Sequence, residues 1–444
     1  MPSLGPPDSD GRYPSQFVPI ELLQQPIDFP IAENITAMNK IIKAPMTEMI
    51  ASYNSNESSK NGLPTEALFN LYKKWNDGGA AILVTGSTMI TPEDLEGTGN
   101  MIIAKEIDTV ERRRLFKQLA AIAHNGTLIF AQLLHPGRQA IRMRQGFQPL
   151  DMNNASRDQI NDIVERYAYA AGFVKDCGFH GVEINVGMDF ALAQLVTATT
   201  NSRNDEYGGS LENRTRILFE VINSIRDRVK DDKNFVLGLK LSSLNYEDGY
   251  DECEFERFCK RLDATKLDYV VITGANYEAI RQREKIERDP SRKSEAFFVK
   301  FVIATMIVVL EVRTNIKRAK TFLCGGFRAA DQMWEAIYEG WTDGIMVARP
   351  LAAEPDLPRR ILNREVTGAK KSLLDEIDYG LSEYAAGTQM WQLANDKVVM
   401  DLTNANHVEQ FRRAMREHNN KKIVNGSDLN HFSFPKFEVE VKLS

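Results

Sequence analysis

Short apolar segments rich in valine, isoleucine and leucine recur along the chain, and amphipathic stretches separate them. This pattern is typical of parallel strands that crossover helices bury on both faces. Eight such segments are present: Ile41–Met46, Ala81–Gly86, Leu128–His135, Gly181–Gly187, Phe235–Ser242, Tyr269–Ala275, Thr321–Gly326 and Asp343–Arg349. Eight β/α units predict an α/β protein of the (β/α)₈ TIM barrel class.

Helical patterns lie between the predicted strands, for example at Thr65–Asn76 and Val110–His124. A third helix is predicted to begin after Ser156, because this serine and Gln159 three residues later form a capping box. An open doubly wound sheet is the alternative, but it needs a glycine-rich sequence after its first strand. Here the first strand continues into Pro45–Thr47 instead, so the barrel is favoured.

The chain is expected to form one barrel with two extensions: an N-terminal extended arm over residues 1–28, the barrel over 29–364 and a C-terminal helical tail over 365–444. Helical patterns at Leu373–Tyr384 and His407–Arg416 precede an alternating end, Phe437–Leu443. About 80 polar-rich residues would form only a marginal core by themselves. We therefore expect the tail to pack against the outer wall of the barrel.

The charge balance argues against a polyanionic partner. Lysine and arginine number 55 against 61 for aspartate and glutamate, which gives a net charge of −6. No overall positive field is present to hold nucleic acid or an anionic membrane. Hydrophobic residues make up 43% of the chain and charged residues 26%, as in an ordinary globular protein.

Features of secretion and membrane insertion are missing from the sequence. The chain begins with prolines and charges instead of the apolar run of a signal peptide. The longest apolar run, Phe301–Leu310, is well below the roughly 20 residues of a membrane span. Four scattered cysteines give no basis for a zinc or iron–sulfur site. We expect a soluble, cytoplasmic protein without a metal, and homo-oligomer formation stays open.

The ends of the last two predicted strands suggest a phosphate pocket. Strand seven ends at Cys324 and is followed by Gly325 and Gly326, and strand eight ends at Ala348 and Arg349. Glycines let the backbone approach a phosphate closely, and an arginine can donate charged, bidentate hydrogen bonds to it. These strands also carry the usual phosphate site of TIM barrels. The alternative is a simple glycine turn beside a surface arginine.

Two polar residues interrupt apolar strands, namely Gln132 in strand three and Lys240 in strand five. Burying either residue is costly unless a partner satisfies it, and a structural network inside the barrel could do so. Together with a phosphate pocket they suit a flavin, because an amide can pair with the pyrimidine edge and a cation can stabilise the reduced anion. The Thr47 hydroxyl could reach the flavin C4 carbonyl.

Several longer segments match one known family: Lys43–Thr47, Val84–Gly86, Gln132–Gln139, Gly181–Ile184 and Asn201–Arg214. They resemble the old yellow enzyme family of FMN-dependent NADH:flavin oxidoreductases and NADH oxidases. The resemblance runs in order from about Phe29 to Arg364. It implies an FMN-bearing barrel in which NADH or NADPH reduces the flavin. The flavin then passes hydride to the β-carbon of an α,β-unsaturated carbonyl compound.

The resemblance implies a set of cofactor-binding residues. Ala44, Pro45, Met46 and Thr47 would line the flavin ring, together with the small residue Gly86. Gln132 would pair with the pyrimidine, and Lys240 would place a cation near N1. The phosphate ligands would be Gly325, Gly326, Ala348 and Arg349. The family usually has glycine in place of Ala348, but a backbone N–H donor survives that change.

The acceptor side departs from the family pattern. After Ile184 the family typically has histidine, two small residues, histidine or asparagine, glycine and tyrosine, whereas this chain has Asn185, Val186, Gly187, Met188, Asp189 and Phe190. In the family the paired donors bind the substrate carbonyl and the tyrosine protonates the α-carbon. Asn185 can still donate, but Met188 cannot donate and Phe190 has no proton to give. Asn185 is therefore the single catalytic candidate.

The sequence leads to three hypotheses. The preferred one is an FMN-dependent NAD(P)H oxidoreductase that passes electrons to a small-molecule acceptor and reduces ordinary enones poorly. The alternatives are a non-catalytic flavin-binding pseudoenzyme and a phosphate-binding barrel enzyme without flavin. A structural role is favoured for His135, and the charged stretch Arg281–Lys293 is interpreted as a lid or a solvated loop.

Overall fold

The computed structural model describes residues 10–141, 147–242, 251–274, 308–375, 378–424 and 433–440. The strands of these residues are, in chain order, β1 (Ile27–Asp28), β2 (Thr36–Ala37), β3 (Ile41–Lys43), β4 (Ile82–Met89), β5 (Met101–Ile102), β6 (Leu128–Leu134), β7 (Gly181–Val186), β8 (Val236–Ser242), β9 (Tyr269–Thr273), β10 (Lys320–Cys324) and β11 (Gly344–Val347). Ala275, the last residue of the predicted strand Tyr269–Ala275, lies outside the described residues, as does the charged stretch Arg281–Lys293.

The helices in the same part of the chain are α1 (Glu66–Asp77), α2 (Val110–Ala120), α3 (Arg157–Asp176), α4 (Ala191–Val196), α5 (Leu211–Arg214), α6 (Arg216–Val229), α7 (Glu252–Asp263), α8 (Ala330–Tyr338), α9 (Pro350–Ala353), α10 (Leu357–Leu362), α11 (Tyr379–Ala394) and α12 (Ala405–Val424). Residues 308–315 are also helical. Within the described ranges, every helix is too short or too polar to cross a bilayer.

Eight parallel strands close into a barrel, in the order β3, β4, β6, β7, β8, β9, β10 and β11. The sheet closes because β3 pairs with β11 on one side and with β4 on the other. This closure confirms the predicted TIM barrel and excludes the open doubly wound sheet. All residues of β4, β6 and β7 are buried, as expected for strands lying between a packed interior and surrounding helices.

The β1–β2 hairpin packs with residues of the barrel interior, including Phe130 and Tyr269. Behind the hairpin, the buried Asp268 carboxylate accepts backbone N–H groups of Ile31 and Ala32, each at 2.9 Å. Its second oxygen accepts from the Arg226 guanidinium at 2.8 Å. These contacts join the segment between β1 and β2 to the amino-terminal end of the barrel. The opposite end carries the candidate site.

Capping side chains fix the first residues of several helices. Ser156 and Gln159 form the predicted capping box at the start of α3. Thr65 caps α1 by accepting the Leu68 N–H. In the tail, the predicted helix Leu373–Tyr384 is displaced, because α11 begins at Tyr379. The Asp378 side chain accepts the Leu381 N–H and caps the helix at that point.

The tail packs against the barrel helices. The Lys74 ammonium of α1 donates to the Leu393 carbonyl of α11 at 2.5 Å, and Asn70 of α1 donates to the Ala394 carbonyl at 3.0 Å. Residues 433–440 run beside α11 and α12 without forming a strand, where Gln392 donates to the Phe437 carbonyl. Leu443 of the predicted alternating end lies outside the described residues. The tail is therefore joined to α1 by side-chain contacts at the carboxyl end of α11.

Candidate active site

The carboxyl end of the barrel has accessible residues at the ends of otherwise buried strands. Pro45, Met46 and Thr47 after β3 are half-buried, as is Lys240 in β8. Cys324, Ala348 and Arg349 at the ends of β10 and β11 are also half-buried, and Gly325 and Gly326 are exposed. By contrast, Ala44, Gly86 and Gln132 are buried. Most of the sequence-predicted cofactor residues therefore lie at the barrel end where TIM barrels carry their chemistry.

The glycine pair has the geometry of an anion cradle. Gly325 and Gly326 have φ values of 129° and 80°, which other residues rarely adopt. A Cβ atom built on either glycine meets no atom within 4 Å, so space for a ligand lies beside this backbone. Strand β11 pairs directly with β10, which brings Arg349 to the neighbouring strand end. Two open backbone positions beside a guanidinium suit a phosphate monoester.

Buried polar residues of neighbouring strands form a network in the barrel interior. The Gln132 amide donates to Glu183 at 2.7 Å, and its oxygen accepts from Asn185 at 3.3 Å. The second Glu183 oxygen accepts from the Tyr269 hydroxyl at 3.1 Å. Burial raises the pKa of Glu183, while the Lys240 ammonium acts in the opposite direction. The expected pyrimidine partner Gln132 is thus held in place by its neighbours.

The Lys240 ammonium makes no hydrogen bond or ion pair with any residue that the structure describes. Its strand pairs with β7, where Lys240 lies opposite Asn185. A half-buried cation without a hydrogen-bond acceptor among the described residues can be satisfied by a bound anion or carbonyl oxygen. Lys240 therefore fits the position of a cation beside the electron-accepting edge of a flavin.

The loop after β3 packs against β4 around Gly86 and Ser87. The Thr47 hydroxyl lies 3.0 Å from Ser87 Oγ and donates to Glu96 at 3.1 Å. Gly86 donates its N–H to Glu48 at 2.9 Å, and a Cβ there would clash with Glu48 and with the Met46 carbonyl. Gly86 therefore allows the loop after β3 to lie close against β4.

Three further residues at this end of the barrel were missed by the sequence analysis: Glu96, Tyr379 and Glu383. Burial raises the pKa of Glu96. Burial and the neighbouring Glu96 carboxylate raise the pKa of Glu383 to about 7, whereas Arg349 acts in the opposite direction. Glu383 and Tyr379 belong to the tail, so no pattern in the barrel sequence could have indicated them.

The end of β7 and the segment after it carry Asn185, Met188 and Phe190, where the sequence departs from the pattern of the family it resembles. Asn185 Oδ1 accepts the Gly187 N–H at 2.9 Å, which leaves its amide nitrogen facing Gln132. Phe190 is only 4% exposed and packs in an apolar cluster with Leu95 and Leu134. Met188 packs against the same cluster. Apolar packing therefore surrounds both Met188 and Phe190.

The backbone of this segment is strained. Met188 and Asp189 both have left-handed conformations, with φ values of 58° and 55°. Glycine adopts this conformation without steric cost, whereas methionine and, to a smaller degree, aspartate adopt it at some cost. The Asp189 carbonyl accepts from the Gln194 amide at 3.0 Å, which helps to hold the turn.

His135 is buried and makes local contacts. Its Nδ1 atom accepts the Gly137 N–H at 3.0 Å, and Nε2 lies 3.6 Å from Asp94. Burial lowers the pKa of His135 to about 3, so the imidazole is neutral at physiological pH. These contacts hold the imidazole in the turn after β6.

Comparisons with known proteins identify the family of the chain. A sequence profile of the NADH:flavin oxidoreductase / NADH oxidase family matches residues 23–366. An NADH-dependent flavin oxidoreductase of Aspergillus parasiticus is 32% identical over 425 residues, which cover 91% of this chain and 93% of that protein.

Solved structures share the fold. The old yellow enzyme homologue from Zymomonas mobilis has a TM-score of 0.62 and 23% identity, covering 80% of this chain and 95% of its own. Morphinone reductase in complex with tetrahydroNAD has a TM-score of 0.59 and 20% identity, covering 79% and 92% of the two chains. The chain therefore has the fold of old yellow enzyme homologues, and it is an FMN-dependent oxidoreductase that belongs to the NADH:flavin oxidoreductase / NADH oxidase family.

Proposed function

We propose that the protein uses NADH to reduce a small-molecule acceptor other than an ordinary enone, at an acceptor site altered from the family pattern. The apolar packing of Met188 and Phe190, at positions where the family resemblance implies a donor and an acid, is the observation that carries this proposal. Family membership supports the reductant, since the related protein from Aspergillus parasiticus is named NADH-dependent. We also propose a cytoplasmic location, in keeping with four cysteines that are all free thiols.

The residues at the carboxyl end of the barrel fit FMN. Gly325, Gly326 and Arg349 would hold its phosphate, with the Ala348 N–H beside them, and Lys240 and Gln132 would face the pyrimidine edge. Residues 44–47 would line the ring. When bound, FMN supplies two-electron hydride chemistry between a nicotinamide and an acceptor.

The protein's own groups bind and orient the acceptor. The Asn185 amide has a second N–H that could donate to an acceptor oxygen, beside the one directed at Gln132. Neither Met188 nor Phe190 can polarise a carbonyl or deliver a proton. An acceptor that needs no protonation at carbon, such as dioxygen or a quinone, can be reduced without a protein acid at these positions.

An anaerobic two-step assay tests the proposal. Holoenzyme is mixed with NADH or NADPH while flavin absorbance is followed, and the reduced enzyme is then mixed with dioxygen, a quinone or cyclohexenone. We expect rapid bleaching by NADH and rapid return of colour with dioxygen or quinone, but slow return with cyclohexenone. Rapid reoxidation by cyclohexenone would contradict an altered acceptor site.

The same assay separates the two alternatives. A yellow protein whose flavin is inert to both nucleotides would be a flavin-binding pseudoenzyme. A protein that stays colourless after incubation with FMN would be a phosphate-binding barrel without flavin, and the assignment of the glycine pair and Arg349 to FMN would be wrong.

Replacing Lys240 by methionine should lower the midpoint potential of the bound flavin. A cation beside the pyrimidine edge stabilises the negative charge that two-electron reduction places there. Loss of a hydrogen bond to a charged group costs about 1.5–3 kcal/mol, which corresponds to about 30–65 mV for a two-electron couple. Potentiometry checks this shift, with Lys240→Arg as the matched control that keeps the charge. An unchanged potential in the methionine variant would place Lys240 away from the flavin.

A further inference from the structure

The tail helix α11 begins beside the arginine of the phosphate pocket. The Tyr379 ring lies under the Arg349 guanidinium, with 5.8 Å between the guanidinium carbon and the ring centroid. This distance lies within the range of a cation–π contact. Tyr379 is the first residue of α11, and Asp378 caps the helix directly before it. Its position is therefore set by a helix terminus.

Contacts distant from the pocket hold α11 in place. The carboxyl end of the helix receives hydrogen bonds from Lys74 and Asn70 of α1. In its middle, the Thr388 hydroxyl donates to the Pro435 carbonyl at 2.9 Å. The tyrosine ring is thus presented to Arg349 by an element anchored along its length. Burial raises the pKa of Tyr379, so the phenol stays neutral and its ring remains a neutral face for the cation.

Ordering of a long side chain opposes ligand binding. An arginine side chain has considerable rotamer freedom, and the guanidinium must take one orientation to donate two hydrogen bonds to a phosphate. An aromatic face under the guanidinium reduces that loss by restricting the side chain before the ligand arrives. Arg349 also precedes Pro350 at the start of α9, where its backbone is held in a helical conformation.

We propose that Tyr379 is a positioning residue for FMN, which holds Arg349 in the orientation that binds the phosphate. The C-terminal tail is then part of the cofactor site as well as a covering for the outer wall of the barrel. This inference rests on the assignment of Arg349 to the FMN phosphate in the proposed function.

Titration of apoprotein with FMN and with riboflavin, followed by flavin fluorescence, tests the inference. Tyr379→Leu should weaken FMN binding by roughly 3- to 30-fold, the range of a cation–π contact. It should leave the affinity for riboflavin unchanged, because riboflavin has no phosphate. Tyr379→Phe keeps the ring and should bind FMN as the unmodified protein does. Tyr338→Leu, at a tyrosine 65% exposed on α8, is the control for a surface change.

A double-mutant cycle separates positioning from general destabilisation. In an Arg349→Ala background, Tyr379→Leu should cause no further loss of FMN affinity, because the residue it acts through is gone. Equal losses for FMN and riboflavin, or an undiminished loss in that background, would overturn the inference. Apoprotein that binds neither flavin would instead overturn the proposed function itself.

Discussion

The triple variant Asn185→His, Met188→His, Phe190→Tyr should reoxidise with cyclohexenone at least about 10²-fold faster than the unmodified protein. One carbonyl donor typically contributes about 10²–10³ in rate, and a general acid about 10²–10⁴. The three changes restore two donors and the proton source together. Stopped-flow measurement of flavin reoxidation gives the rate directly, with dioxygen as an acceptor whose rate should change little.

The single variants should gain much less than the combination, because groups that act as a unit are strongly non-additive. Phe190→Tyr alone places a hydroxyl in an apolar cluster with Leu95 and Leu134, where it lacks a partner. Adding Asp189→Gly to the triple variant relieves a left-handed aspartate and should improve it further. A triple variant no faster than the unmodified protein would show that the donors and the acid do not limit turnover.

Arg349→Ala should weaken FMN binding by about 1.5–3 kcal/mol, the magnitude of a hydrogen bond to a charged group. This is a loss of roughly 10- to 150-fold in affinity. Arg349→Lys keeps the charge but loses the planar guanidinium, so its affinity for FMN should lie between those of the unmodified protein and Arg349→Ala. Arg364→Ala removes a surface ion pair with Glu21 and serves as the control for loss of an arginine. Fluorescence titration of apoprotein measures all three.

An Arg349→Ala protein that binds FMN as tightly as the unmodified one would remove Arg349 from the phosphate site. The reduction potential of the bound flavin provides a second check. Arg349 is assigned to the phosphate and not to the ring, so this potential should change less than in Lys240→Met.

The sequence alone predicts the barrel because its signals are local. Apolar segments such as Leu128–Leu134 are buried along their whole length, which follows from a strand covered on both faces. Helix starts follow from capping side chains within one turn, as at Ser156 and Gln159. The glycines at 325 and 326 and the substitutions at Met188 and Phe190 can also be identified by inspection, because each depends on residue type at a motif position.

Contacts between elements are set only by the tertiary structure. The pairing of Gln132 with Glu183 and Asn185 depends on the register of neighbouring strands. Tyr379 reaches Arg349 because α11 begins at Tyr379 and packs on α1, whereas the periodicity of the tail places the start of the helix several residues earlier. Apolar periodicity specifies which face of an element is buried, but not which partner covers it. That choice depends on the free energy of packing distant segments together, and here it brings a tail residue to the phosphate pocket.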